Sequence, residues 1–144
     1  MVSACAAANS RSHNAQDDCI EITHVGEQDK PLPGLRICVG EKGKATLDRD
    51  YRWTFWFEAS IVRALETYVV SKKPKSASAG GDQQPGEYGT FAVSWGQKPN
   101  GNRYLLFPKA ACSYFAEVRR ICAKGENPDC TQALGDLMRR LSCI

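Results

Sequence analysis

Apolar and polar positions along this chain change period several times, and each change marks an element. Residues 19–25 (CIEITHV) alternate β-branched and polar side chains, as a strand with one buried face does. A Pro/Gly turn at residues 30–34 separates this run from a second short strand, residues 35–39 (LRICV). Gly40 and the charged turn Glu41-Lys42-Gly43-Lys44 end it. Residues 51–57 (YRWTFWF) form a third strand, with Tyr51, Trp53, Phe55 and Phe57 on one face and Trp56 on the other.

The period then lengthens. Ile61, Val62, Leu65, Tyr68 and Val69 fall at helical spacing behind Ser60 as N-cap, which predicts a helix reaching about Val70. Residues 88–95 (YGTFAVSW) and 103–107 (RYLLF) read as two strands around the hairpin signal Asn100-Gly101, the second ended by Pro108. Residues 110–123 read as a helix with a buried stripe of Ala111, Cys112, Phe115, Val118 and Cys122, stopped by Gly125. A final helix opens on the capping-box sequence Asp129-Cys130-Thr131-Gln132 and buries Leu134, Leu137, Met138 and Leu141. Hairpin strands with segregated helices predict an α+β fold, an antiparallel β-sheet with helices packed on one face (an α/β sandwich).

Two stretches carry no such period. Residues 1–18 are small and polar and read as a flexible N-terminal arm, and residues 71–87 (SKKPKSASAGGDQQPGE) read as a mobile loop. The 144 residues otherwise suit one domain spanning 1–144.

Composition adds seven cysteines: Cys5, Cys19, Cys38, Cys112, Cys122, Cys130 and Cys143. Their spacing matters more than their number. The two nearest, Cys122 and Cys130, are too far apart in sequence for a zinc knuckle, whose ligand pairs sit two to four residues apart. The cysteines therefore read as a disulfide framework, stapling the fold in an oxidising, extracellular compartment, and no metal is expected. An odd number leaves one thiol free or available for a disulfide-linked dimer, and spacing does not select among the pairings. Residues 1–8 (MVSACAAA) lack the apolar core of a signal peptide, so the chain reads as a mature secreted form with Met1 as an added start. No run approaches the roughly twenty apolar residues of a membrane span. The net charge of +3 is too small and too scattered for a nucleic-acid footprint.

No catalytic constellation emerges, and neither an enzymatic role nor a cofactor is expected. His24 and Glu21 should point to opposite faces of one strand, with His24 beside Ile20 and Ile22 as a partly buried, hydrogen-bonded histidine. A small ribonuclease remains the enzymatic alternative, revived if His24 lay in a cleft with Glu and Arg. There is no G-x-S-x-G elbow, P-loop or dinucleotide fingerprint. Trp53, Phe55 and Phe57 read as core beneath the helices. Trp56 and Trp95, on an uncovered sheet face beside the Arg119/Arg120 and Arg139/Arg140 doublets, are the candidate partner-binding surface. An exposed basic face joining Lys72, Lys73 and Lys75 to those doublets would instead favour a killer-toxin-like or antimicrobial protein.

In architecture and cysteine layout the chain resembles the Leptosphaeria avirulence and suppressing effectors, secreted by fungal plant pathogens. Cys19-Ile20-Glu21-Ile22, the strand Tyr51-Arg52-Trp53, and Cys112, Cys122, Cys130 and Cys143 around two helices carry the resemblance. It implies a non-enzymatic virulence effector of the plant apoplast. Such an effector would bind a host plant protein and be recognised by, or mask recognition by, plant immune receptors.

Overall fold

The computed structural model describes residues 19–26, 32, 34–50, 52–72, 75–76, 87–96 and 102–143. Cys5, the arm at 1–18 and most of the segment 71–87 lie outside the described residues. The described residues form seven strands: β1 (Cys19–His24), β2 (Leu35–Val39), β3 (Ala45–Leu47), β4 (Trp53–Phe57), β5 (Lys75–Ser76), β6 (Phe91–Trp95) and β7 (Asn102–Leu106). Among the described residues three helices join them: α1 (Ala59–Ser71), α2 (Pro108–Lys124) and α3 (Pro128–Arg140).

The strands form one sheet in the order β3-β4-β2-β1-β6-β7-β5. The fold is α+β, but the sheet is mixed. All neighbours run antiparallel except β2 and β4, which pair parallel with Ile37 opposite Phe55. The reason is β3, whose three residues are too short and too exposed to show a period. It adds a second chain reversal between β2 and β4, and two reversals restore the original direction. Asp48 closes the β3–β4 turn, accepting from the backbone N–H groups of Asp50 and Arg52 (both 2.9 Å). The Arg52 guanidinium adds an ion pair at 3.2 Å. The bond from the Arg52 N–H, foremost among these contacts, holds the Asp48 carboxyl below the usual carboxylate range.

Register puts Ile20 and Ile22 of β1, Leu35 and Ile37 of β2, Phe55 and Phe57 of β4, and Phe91 and Val93 of β6 on one face. The three helices cover it with Val62, Leu65 and Val69, then Tyr114, Phe115 and Val118, then Leu134, Leu137 and Met138. Each such side chain, once buried, contributes about 1.5–3 kcal/mol. The opposite face carries Glu21 beside Arg36 (3.9 Å), Thr54, Trp56 and the Cys19–Cys38 bridge.

The helix ends differ from their expected positions. Glu58, not Ser60, occupies the α1 N-cap, because β4 runs directly into the helix in extended backbone. Pro108 does not merely end β7; it is the first residue of α2, where a missing N–H costs nothing. The α3 cap is Asn127, whose side-chain oxygen accepts from the Cys130 N–H (3.1 Å), while Asp129 sits in the first turn. Gly125 has ordinary negative φ, and the left-handed residue that stops α2 is Glu126 (φ 57°). The N–H groups of Glu126 and Asn127 return to the carbonyls of Ala123 and Cys122, a Schellman ending. Helix α3 ends alike: Ser142 (φ 61°) and Cys143 donate to Arg139 and Met138.

Two bridges lock α2 against α3. Cys122–Cys130 joins the last turn of α2 to the first of α3, and Cys112–Cys143 joins their other ends. Cys112 is half-buried at the edge of the core, and Tyr114 takes the buried place in its stripe.

Candidate binding groove

The six residues expected to form one surface are divided among several. Trp56 lies on the sheet face away from the helices, half-buried, with its indole N–H unpartnered. Trp95 shares its face with Val93, packs against the core and tilts against Tyr104 at 5.4 Å. The two tryptophans are therefore on opposite sides of the sheet and make no pair, because Trp95 follows the apolar alternation of β6. Arg140 stands exposed at the end of α3. Arg120 is exposed and held by Glu117, one turn earlier, through bonds of 2.6 and 3.1 Å. That contact keeps the Glu117 carboxyl below its ordinary range. Lys72 lies over the Tyr68 ring at 4.8 Å, and Lys73 falls outside the described residues.

Arg119 and Arg139 do converge. They line an open groove of about 520 Å³ between α2 and α3, together with Thr131, Gln132, Gly135 and Glu126. Arg139 is paired with Asp136 on its own helix. Arg119 is half-buried and, among the described residues, has neither an ion pair nor a hydrogen bond.

Its position depends on Gly135. A Cβ added there would stand 3.2 Å from Nη2 of Arg119, 3.4 Å from Cζ and 3.5 Å from Nε. The guanidinium thus lies against bare helix backbone. Glycine inside a helix costs about 1 kcal/mol relative to alanine, and here the missing side chain makes room for the arginine. Laid flat and unpaired, the guanidinium presents its planar fork of N–H donors, which suits a carboxylate. Gly135 was not among the expected site residues; a lone glycine inside the apolar pattern of α3 was the available signal.

No comparable assembly surrounds His24. It points to the helix-covered side, opposite to Glu21, and is buried at 7 % exposure. Its Nε2 accepts from the Gly89 N–H (3.0 Å), Nδ1 is unpartnered, and the rings of Tyr88 and Phe91 pack edge-on. Burial lowers its pKa from the ordinary value. The six cysteines among the described residues are all in disulfides, and no described cluster of three His, Cys, Asp or Glu could hold a metal ion. No described helix is long and apolar enough to cross a membrane. Compared with protein-family models, curated proteins and solved structures, the chain matches none.

Proposed function

We propose that this chain is a secreted binding protein without catalytic activity, a virulence effector of the kind its sequence resembles. In this reading it grips an acidic segment of a host plant protein in the α2–α3 groove. The observation that carries the reading is Arg119, half-buried, unpaired and laid on Gly135 beside Arg139. An arginine held in place before binding loses little rotamer freedom when a carboxylate arrives, so its bidentate bond contributes more to affinity. The three bridges support the extracellular part of the reading, since such bonds persist in oxidising compartments.

The test is co-expression in leaf tissue with matching resistance genes, using the native chain and Arg119→Ala. The native chain triggers or suppresses cell death, and Arg119→Ala loses that effect while keeping its near-UV dichroism and its bridges. Inertness of the native chain in every combination would overturn the reading. Undiminished activity of Arg119→Ala would remove the groove from it.

A further inference from the structure

A second concavity of about 310 Å³ opens where the β2–β3 turn meets the first turn of α1 and the last turns of α2. Its floor is apolar, formed by Phe57, Ile61 and Ile121 beside Cys122 of the Cys122–Cys130 bridge. Phe57 is buried, whereas Ile61 and Ile121 remain half-exposed to the cleft. Lys42, Arg120 and Lys124 also line it, and no carboxylate does. Glu117 already neutralises Arg120. Lys42 and Lys124 are exposed and, among the described residues, have no close ion pair, although Lys124 also attracts the Glu117 carboxylate at longer range. The cleft is held open in advance, because the Asn127 side-chain N–H donates to the Gly43 carbonyl (3.1 Å) and ties the turn to the helical hairpin.

We infer that this cleft binds a small amphipathic anion, an alkyl or aryl chain ending in a single carboxylate, sulfate or phosphate. The apolar tail lies on Ile61 and Ile121, and the head meets Lys42 and Lys124. The volume is at the small end of ligand pockets, so the tail is short. Size and charge together exclude a cationic or bulky ligand. The inference is independent of the groove, since neither lysine lines it.

Decanoate is the probe, titrated into the full oxidised chain by calorimetry and by the methyl resonances of Ile61 and Ile121. Saturable one-to-one binding is expected, weakening about fourfold for each methylene removed from the tail. Decyl sulfate should bind comparably, whereas decanol and decyltrimethylammonium should bind at least tenfold more weakly. Reversal of both exposed charges, Lys42→Glu with Lys124→Glu, should weaken decanoate at least tenfold without altering the thermal midpoint by more than a few degrees. Arg119→Ala should leave decanoate binding unchanged, which separates this site from the host-protein groove. Equal binding of decanol, undiminished binding by the double variant, or no saturation at millimolar decanoate would each overturn the inference.

Discussion

The groove over Gly135 and the cleft beside Lys42 share Asn127 as a common wall, and both are basic, yet they are built on opposite plans. In the groove the charge is placed: one guanidinium lies flat on backbone, and its surroundings are open. In the cleft the apolar floor is placed, and two lysines on long stems stand at its mouth. Arg119 and Arg120 show the difference within one dipeptide. Neighbours on a helix point about 100° apart, so one meets Gly135 across the hairpin and the other meets Glu117 on its own helix. A basic doublet is thus two residues with separate surroundings, and only the unpaired member keeps its donors for a ligand.

The largest expected effects come from breaking what holds the two sites in register. Loop-closure entropy assigns about 4 kcal/mol to the bridge at sequence separation 31, Cys112–Cys143, and about 2.5 kcal/mol to the one at separation 8, Cys122–Cys130. Paired alanine variants measured by urea unfolding should keep that order. Only loss of Cys122–Cys130, which lies beside Asn127, should also weaken decanoate binding at temperatures where the fold persists. If the Cys112–Cys143 variant lost binding first, the cleft would depend on the whole hairpin and not on its turn.

Asn127 comes next. It is buried, caps α3 through its side-chain oxygen and donates to Gly43 through its amide. Asn127→Ala should cost about 2 kcal/mol in urea unfolding, the sum of a lost cap and a lost buried bond. Asn127→Ser keeps a neutral cap acceptor, adds no charge to either site and loses the amide donor that reaches Gly43. It should therefore release the β2–β3 turn and weaken decanoate binding, while the Arg119 groove keeps its partner. Equal loss at both sites would show that the shared wall, and not the turn, sets the cleft.

These two sites explain how much of the molecule could be read from the chain. Alternation places β1, β2 and β4, and helical spacing places most of each described helix's stripe, missing Tyr114 in favour of Cys112 and carrying the last stripe one residue too far, to Leu141. The β3 strand escaped: Thr46 and Leu47 are both exposed, so nothing alternates. With it went the parallel pairing. Cap positions shift by one or two residues: at α3 both Asn127 and Asp129 are chemically able to cap, whereas α1 and α2 start where the preceding extended backbone ends, without a side-chain cap. The joining of Cys112 to Cys143 and the meeting of Arg119 with Gly135 are contacts across the hairpin. Neither has a local trace beyond a cysteine or a glycine at an unexpected position.

Gly135→Ala tests whether the groove was shaped for its arginine. Helix propensity favours alanine by about 1 kcal/mol, and the nearest obstacle, Nη2 of Arg119 at 3.2 Å from the added Cβ, need yield only a few tenths of an ångström. Stability should therefore rise by up to about 1 kcal/mol while leaf activity falls, and decanoate binding stays unchanged. A stable variant with full activity would mean that Gly135 serves helix packing alone.

The smallest effect distinguishes the two Schellman endings. Glu126 and Ser142 both hold left-handed backbone, which costs a side-chain-bearing residue about 1–2 kcal/mol. Part of that is offset by the extra unfolded-state freedom of glycine. Glu126→Gly and Ser142→Gly should each raise stability by about 0.5 kcal/mol, read as a shift in the urea midpoint. Only Glu126 lines the groove, where its carboxylate opposes an acidic ligand of Arg119. Glu126→Gly should therefore strengthen host-protein binding severalfold, Ser142→Gly should leave it unchanged, and neither should alter the affinity of the cleft for decanoate. If both variants gained stability and neither gained affinity, the acidic class of partner would be ruled out and Arg119 would be left as a packing residue.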